Sequence, residues 1–157
     1  GSKSKLLSEI WSVVSQFNVN TVVDLFSGTG NLGLEALSRG AEKCYFCDNA
    51  RASLNLIKTN VKICKAEDKS IILAGDYTKT LTRIREKADI IFLDPPYAEE
   101  FLENSLKKLS EIDILKSGGI IVSERPAEKE LSLDLPGFQR SKDYKYGNTV
   151  VTLYRKD

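Results

Sequence analysis

A stretch near the start of the chain combines glycines with acidic residues. Residues 24–33 read DLFSGTGNLG, and their glycines are Gly28, Gly30 and Gly33. Glycine adopts backbone angles that other residues resist, so the first two allow a tight turn that a ligand can approach closely. Gly33 lets a helix pack closely on a strand. The Gly-x-Gly-x-x-Gly spacing matches the fingerprint of dinucleotide-binding loops. Asp48, 20 residues after Gly28, lies where a carboxylate can accept hydrogen bonds from ribose hydroxyls.

The residue that opens this stretch indicates which nucleotide the loop binds. Asp24 places a carboxylate beside the loop, where it would repel a pyrophosphate and attract an ammonium group. S-adenosylmethionine carries an amino-acid ammonium and no phosphate, so it fits this loop better than NAD. With Phe26, the pattern Asp-x-Phe-x-Gly-x-Gly is similar to the first motif of class I methyltransferases. Gly75, Asp76 and Tyr77 fit that class too, because an acid there accepts a hydrogen bond from the adenine amine.

The most specific motif in the chain is Asp94-Pro95-Pro96-Tyr97. Pro95 biases Asp94 toward an extended backbone, and neither proline has an N–H to donate. Asp94 and the carbonyl of Pro95 can each accept one N–H of a planar nucleobase amine, which would stabilise the positive charge that develops on its nitrogen. Tyr97 can stack on the base, which is worth about 1–3 kcal/mol. Attack on a sulfonium methyl needs no metal and no strong base, which agrees with the absence of histidine.

Hydrophobic periodicity predicts the elements that position these motifs. Helices are predicted over 4–17, 31–39, 54–64, 78–87 and 101–112, and strands over 21–25, 43–47, 71–73, 88–93 and 120–122. Gly118-Gly119 is predicted to stop the last helix, in which either Phe101 or Leu102 faces the core. Residues 125–137 form a loop, and 144–146 and 149–154 a closing antiparallel hairpin. Apolar strands that alternate with helices predict a parallel sheet covered on both faces.

Length and composition indicate the class of protein. The chain has 157 residues, of which 41% are hydrophobic and 29% charged. These values predict one soluble, intracellular domain and exclude a disordered or collagen-like chain. No segment is long and apolar enough to span a membrane, and three cysteines argue against a disulfide framework. Because 23 basic residues balance 22 acidic ones, any binding of nucleic acid must be local. Gly1-Ser2 at the start predicts an expression scar.

Three segments resemble the RsmD-type 16S ribosomal RNA guanine-N2 methyltransferases. They are DLFSGTGNLGLEALSRGA at 24–41, DPPY at 94–97 and the ending YGNT…LYR at 146–155. Within the first of them, LGLEALSRGA is more specific to that family than the glycine loop itself. The resemblance, which covers roughly residues 6–155, implies transfer of a methyl group from S-adenosylmethionine to an exocyclic amine of RNA, namely guanine N2.

The resemblance also implies a role for each matching residue. Four residues would surround the methionine part of the cofactor: Asp24, Phe26, Gly28 and Gly30. Asp48 would hold the ribose, and Asp76 with Tyr77 the adenine. Four residues would bind the target guanine amine: Asp94, Pro95, Pro96 and Tyr97. Glu35 matches a glutamate of the family, and the sequence leaves open whether it contacts cofactor or only its helix neighbours.

The remaining features of the sequence concern RNA binding or indicate a structural role. The family's N-terminal β-hairpin, rich in Arg and Lys, is absent from this sequence, so we expect weak binding of RNA. A candidate basic patch with interleaved tyrosines consists of Arg140, Lys142, Tyr144, Lys145, Tyr146 and Arg155. Lys58, Lys62 and Lys65 indicate a solvated helix face. Cys44 and Cys47 would face opposite sides of a strand, which indicates buried core residues rather than a zinc site.

These observations predict a doubly wound, Rossmann-like α/β domain over residues 3–157, with a mainly parallel sheet of seven strands and an antiparallel C-terminal hairpin. We expect a cytoplasmic monomer that binds ribosomal RNA or the small-subunit particle, with no membrane contact and no metal. Two alternatives stay open: a DNA adenine-N6 or protein glutamine methyltransferase, and a catalytically silent nucleotide-binding module. Asp94 argues against the glutamine class, which has Asn there, and intact Asp94 and Tyr97 argue against the silent module.

Overall fold

The computed structural model describes Ser8, Trp11, Ser12 and residues 19–95 and 99–157. The strands are β1 (Thr21–Leu25), β2 (Lys43–Asp48), β3 (Ser70–Ala74), β4 (Ala88–Leu93), β5 (Leu115–Pro126), β6 (Phe138–Arg140), β7 (Tyr144–Tyr146) and β8 (Thr149–Lys156). The helices are α1 (Asn31–Ser38), α2 (Arg51–Ile63), α3 (Tyr77–Thr82) and α4 (Glu99–Glu111). Of the predicted helix 4–17, the three described residues are helical, and the rest lies outside the described residues. No described helix has the length and apolar character needed to cross a membrane.

The strands form one mixed sheet in the order β3-β2-β1-β4-β5-β8-β6, and β7 also pairs with β8. Strands β1 to β5 pair in parallel, and β8 is antiparallel to β5, β6 and β7. The predicted Rossmann-like sheet with antiparallel C-terminal strands is therefore confirmed. Within the described residues the sheet has eight strands rather than seven, because residues 138–140 form an additional short strand. Strands β6 and β7 pair with opposite ends of β8 along the same side.

Two layers of helices bury the two faces of the sheet. On one face α1 and α2 cover side chains such as Val22, Phe46 and Phe92. On the other face α3 and α4 cover Leu25 and Leu93, together with other aliphatic residues. Full burial of such a side chain stabilises the fold by about 1.5–3 kcal/mol. The two cores therefore fix the ends of the parallel strands, from which the site residues project.

The glycine pair near residue 118 has a different role from the predicted one. Helix α4 ends at Glu111, and Gly118-Gly119 lies inside β5. The pairing of β4 with β5 shifts between Ala88, which is opposite Leu115, and Ile90, which is opposite Ile120. Gly118 has a φ of 79°, and a Cβ on Gly119 would lie 2.7 Å from Leu115 Cγ. The two glycines therefore form a bulge in the strand.

The cysteines of β2 are core residues, as the sequence predicts. Cys44 lies in the cluster under α1 and α2, and Cys47 lies in the cluster under α3 and α4. Both thiols are free and buried. Burial raises the pKa of Cys44 well above its usual value and that of Cys47 to about 12, so both thiols stay protonated at neutral pH.

Candidate active site

The carboxyl ends of four parallel strands gather the predicted site residues at one edge of the sheet. Leu25 at the end of β1 pairs with Cys47 of β2 and Leu93 of β4. Asp48 at the end of β2 pairs with Ala74 of β3. The loops that follow these strands therefore meet at this edge, as in other open α/β sheets. They bring together four predicted acids: Asp24, Asp48, Asp76 and Asp94.

The glycine loop connects β1 to α1 through left-handed backbone angles. The φ angles are 62° at Gly28 and 82° at Gly30, the residue that precedes α1. Phe26 has a φ of 61°, which is uncommon for a residue other than glycine. A Cβ on Gly33 would lie 2.5 Å from a ring carbon of Phe46 and 2.6 Å from Cys44 Sγ. The predicted close packing of helix on strand is therefore confirmed.

Asp24 lies beneath the glycine loop. Asp24 is 1% exposed. Its Oδ2 accepts hydrogen bonds from Ser27 Oγ at 2.9 Å and from the Gly33 backbone N–H at 3.0 Å. Burial raises the pKa of Asp24 to about 7, and the charges of Asp94 and Asp48 add to the rise. The two hydrogen bonds lower the pKa, but by less than burial raises it. The carboxyl group therefore holds the loop from inside and changes its charge near neutral pH.

Asp48 ties the glycine loop to the end of β2. Its Oδ2 accepts a hydrogen bond from the Gly28 backbone N–H at 2.9 Å, and its Oδ1 accepts one from the Ala50 backbone N–H at 2.9 Å. The residue is half-buried. Each carboxylate oxygen has two acceptor positions, so these bonds leave capacity for a ligand hydroxyl. The predicted contact with a ribose stays a prediction.

Asp76 begins α3 as its N-terminal cap. Oδ1 accepts hydrogen bonds from the Thr78 backbone N–H at 2.9 Å and from Thr78 Oγ1 at 2.6 Å. The bond from the Thr78 hydroxyl is the main reason that the pKa of Asp76 lies below its usual value. The exposed carboxylate stands at the same edge as Asp48, and its predicted contact with adenine stays a prediction.

Asp94 and Pro95 follow directly after β4, and both are half-buried. The charge of Asp94 contributes to the raised pKa of Asp24, so the two carboxylates lie within electrostatic reach of each other. Pro96 and Tyr97 lie outside the described residues, and their roles stay predictions. In the part of the chain that the structure describes, no three His, Cys, Asp or Glu side chains are grouped so that they could hold a metal ion.

An aromatic cluster of Phe26, Tyr77 and Phe101 lies beside these acids. The ring centroid of Phe26 is 5.4 Å from that of Tyr77 and 5.2 Å from that of Phe101, and the other two are 5.5 Å apart. Leu102 is 4% exposed and Phe101 is 37% exposed, so Leu102 faces the core. The amino-acid sequence did not indicate a functional role for Phe101. The available signal was that Phe101 is next to Leu102 in the sequence, so that only one of the two can face the core.

A hairpin reaches this edge from the far side of β5. Leu93 pairs with Ser123, and Ser123 pairs with Thr152. Strand β5 continues to Pro126, which pairs with Thr149, so both strands extend beyond the end of β4. Strand β7 pairs with the other side of this stretch of β8. The turn between β7 and β8 therefore stands beyond the strand end that carries the Asp94 motif.

A buried arginine holds the base of this hairpin. Arg125 is 6% exposed, and its Nη2 lies 3.1 Å from Asp143 Oδ2. Its Nη1 donates to Thr152 Oγ1 at 2.7 Å and its Nε to the Lys129 carbonyl at 2.9 Å. Thr152 Oγ1 donates in turn to Asp143 Oδ1 at 2.7 Å. These bonds connect β5, β8 and the segment that leads into β7.

The structure divides the predicted basic patch. Lys142 and Lys145 are exposed; Lys145 lies in β7 near the hairpin turn, and Lys142 precedes β7. Arg155 lies at the opposite end of β8, far from the turn. Arg140 is held by Asp143 and by a backbone carbonyl. The patch therefore reduces to the two lysines at the edge that carries the candidate site.

The two tyrosines of the predicted patch support the hairpin. Tyr144 and Tyr146 are half-buried and pack against the core on the face that α1 and α2 cover. Lys142 Nζ lies 5.2 Å from the ring centroid of Tyr144, within the range of a cation–π contact. The tyrosines therefore anchor β7 to the sheet and hold one lysine beside the turn.

The structure also shows the surroundings of Glu35 and of the three lysines near α2. Glu35 Oε1 is 2.8 Å from Arg39 Nε, and the side chains of this ion pair on α1 are 36% and 38% exposed. The structure thus places Glu35 with a helix neighbour. Lys58, Lys62 and Lys65 are exposed, as predicted, but α2 ends at Ile63, so Lys65 lies beyond the predicted helix face.

Comparisons with known proteins agree with this arrangement. A family model described as Conserved hypothetical protein 95 matches residues 5–155. The Bacillus subtilis (strain 168) protein named "Putative rRNA methyltransferase YlbH" is 32% identical, over 97% of this chain and 85% of its own length. The Haemophilus influenzae protein named "Ribosomal RNA small subunit methyltransferase D" is 33% identical, over 69% of this chain and 58% of its own.

A solved structure shows the same fold. It is named "Putative methyltransferase yhhF from Escherichia coli" and superimposes with a TM-score of 0.87 over 98% of this chain and 86% of its own, at 23% identity. The match of the family model to nearly the whole chain, together with the relatives above, confirms the resemblance. The chain therefore belongs to the Conserved hypothetical protein 95 family, that of the RsmD-type methyltransferases.

Proposed function

We propose that this chain uses S-adenosylmethionine to methylate the exocyclic N2 amine of a guanine in small-subunit ribosomal RNA. The observation that carries the proposal is the group of three carboxylates, Asp24, Asp48 and Asp94, around a glycine loop. Such an edge suits a cationic nucleoside without phosphates and disfavours a pyrophosphate. The RNA substrate is inferred from the ribosomal RNA methyltransferases to which the chain is similar.

The residues of the site divide into cofactor contacts and amine contacts. When bound, the cofactor supplies an electrophilic methyl group on a sulfonium sulfur. Asp48 accepts from the ribose hydroxyls, and Asp24, buried beneath the loop, attracts the ammonium group when it is ionised. The Asp94 carboxylate and the Pro95 carbonyl each accept one N–H of the guanine amine. These two bonds orient the nitrogen and stabilise the positive charge that it gains during attack.

We expect S-adenosylhomocysteine, the product form of the cofactor, to stabilise the protein and NAD to leave it unchanged. At one hundred times its dissociation constant a ligand stabilises the fold by about 2.7 kcal/mol. For a domain of this size that corresponds to a rise in melting temperature of about 5–10 °C. Differential scanning fluorimetry with each ligand measures this shift. Tight binding of NAD, with no response to S-adenosylhomocysteine, would contradict the proposed cofactor.

We further propose that the RNA backbone lies along the β7–β8 hairpin. Lys145 pairs with Val150, which pairs with Arg125, two residues beyond the level where β4 ends. Three strand spacings separate β4 from β7, a distance of about 14 Å. Lys142 and Lys145 therefore lie where they could contact phosphates that flank a guanine bound at Asp94.

Replacing Lys142 and Lys145 together with alanine should weaken RNA binding and reduce its dependence on salt. Each lost phosphate contact lowers the slope of log affinity against log salt by about 0.7 for a single strand. We expect a decrease between about 0.7 and 1.4 for the pair, measured by filter binding of a small-subunit ribosomal RNA fragment. The matched control replaces Lys62 and Lys65, which are also exposed but lie at the far end of α2. An equal slope for wild type and the hairpin variant would place the RNA elsewhere.

A further inference from the structure

We infer that Phe101 is a further residue of the cofactor site, where its ring completes an aromatic wall against which the bound nucleoside packs. The wall consists of the aromatic cluster of Phe26, Tyr77 and Phe101. This inference rests on the proposed function, because it concerns the same site and the same cofactor. It adds a residue from α4, a helix that contains neither the glycine loop nor any of the four site acids.

The three rings come from three different elements and meet at the site edge. Phe26 lies in the glycine loop, Tyr77 begins α3 and Phe101 lies in the first turn of α4. Their centroids are 5.2–5.5 Å apart, which is within the range of favourable aromatic pairs. The interplanar angles of 51–68° show tilted and edge-on contacts. Phe101 is 37% exposed, and Phe26 and Tyr77 are partly buried.

The exposure of Phe101 sets it apart from its neighbours on α4. Leu102 and Leu106 are at most 4% exposed, whereas Phe101 is 37% exposed. A large apolar ring that is left partly in water gains stability when a ligand covers it. The other large apolar side chains with comparable exposure in the described residues, Leu56 and Ile63, lie on α2 and are not part of the aromatic cluster. Phe101 alone of these three is beside the predicted cofactor residues.

The backbone of Phe26 also indicates a ligand site. Its φ of 61° is a strained angle for a residue with a Cβ, and such angles cluster at ligand and active sites. The Phe26 ring contacts those of Tyr77 and Phe101. Tyr77 follows Asp76, the residue expected to contact adenine. The strained loop therefore directs an aromatic ring toward the position expected for the nucleoside.

The location of Phe101 also connects the cofactor to the amine contacts. Helix α4 begins at Glu99, a few residues after Asp94 and Pro95. Leu102 anchors the helix to the core, and Phe101 ties its first turn to the loop after β1 and to α3. A nucleoside that packs on this wall would therefore contact the start of α4 as well as the glycine loop and α3.

Calorimetry with S-adenosylhomocysteine tests the wall. Phe101→Ala should weaken binding by about 5- to 12-fold, the upper part of the range expected when one aromatic contact is lost. Phe101→Tyr should bind as wild type does, because it keeps the ring. The control Ile63→Ala removes a more exposed apolar side chain at the far end of α2 and should stay within about twofold of wild type. The melting temperature of each variant without ligand separates a loss of binding from a loss of folding.

A second measurement keeps the inference testable if the alanine variant folds poorly. Phe101→Trp replaces the phenyl ring with a fluorescent indole. Addition of S-adenosylhomocysteine should change the indole emission, and this change should saturate at the same concentration as the calorimetric signal. The native Trp11 lies in the core on the other face of the sheet and serves as the baseline in wild type. Wild-type affinity in Phe101→Ala, or unchanged emission in Phe101→Trp, would overturn the inference. Absence of binding to the wild-type protein would instead overturn the proposed function.

Discussion

Replacing Asp94 with alanine is expected to lower the turnover of methyl transfer by about 100-fold or more, while the affinity for S-adenosylhomocysteine stays within a few fold. The loss of one group that stabilises charge in a transition state typically costs 100- to 1,000-fold. Asp94 directly follows β4, the strand next to β1, and lies beyond the glycine loop, so the cofactor contacts of the loop stay intact. Single-turnover transfer of a labelled methyl group to small-subunit ribosomal RNA, followed by digestion to nucleosides, measures the rate and identifies the product as N2-methylguanosine.

Two further variants define what the Asp94 result means. Asp94→Asn keeps one acceptor oxygen and loses the charge, so its turnover should lie between those of wild type and alanine. Asp68→Ala removes an exposed carboxylate in the turn before β3, at the other edge of the sheet, and should leave turnover within about twofold. Unchanged turnover in Asp94→Ala would remove Asp94 from the chemistry. A product methylated on adenine would favour the alternative of an adenine-N6 methyltransferase.

Asp48→Ala is expected to weaken binding of S-adenosylhomocysteine by about 10- to 150-fold. A hydrogen bond to a charged group contributes about 1.5–3 kcal/mol, and 1.4 kcal/mol corresponds to a factor of ten. The carboxylate also accepts the backbone N–H groups of Gly28 and Ala50, so its removal loosens the glycine loop as well. Titration calorimetry of the variant and wild type measures the change.

The asparagine variant separates these two contributions of Asp48. Asp48→Asn keeps one oxygen for the Gly28 N–H and loses the charge, so its affinity should fall less than that of alanine. The Asp68→Ala variant again serves as the control for removal of a carboxylate. If Asp48→Ala binds the cofactor as tightly as wild type, then the ribose lies elsewhere and the loop does not depend on this anchor.

The sequence alone predicted the sheet class and the edge at which the site lies. Apolar strands alternate with amphipathic helices up to β5, and each acid of the site directly follows, ends or is close to the end of a strand. In a parallel sheet all such ends meet at one edge, so Asp48, Asp76 and Asp94 could be placed together without coordinates. The glycine spacing likewise predicted the tight packing at Gly33, where Phe46 and Cys44 of β2 leave no room for a Cβ.

The tertiary structure decided where each of these groups points. Asp24, expected beside the loop, is buried beneath it and bonded to Ser27 and Gly33, and burial raises its pKa to about 7. One carboxylate oxygen of Asp76 caps the N-terminus of α3. Neither outcome follows from spacing in the sequence, because burial and the choice of hydrogen-bond donors depend on segments that are distant in the chain or on backbone angles at the loop.

The basic patch and the aromatic cluster also show which features of the site only the tertiary structure decides. Arg140, Lys145 and Arg155 lie close together in the sequence, yet β6, β7 and β8 carry them to different ends of the sheet. Phe26, Tyr77 and Phe101 are far apart in the sequence and meet as one cluster. Periodicity reports which face of its own element a residue occupies. Which element lies opposite, and at what register, is set by strand pairing and packing between segments, and these only the folded chain determines.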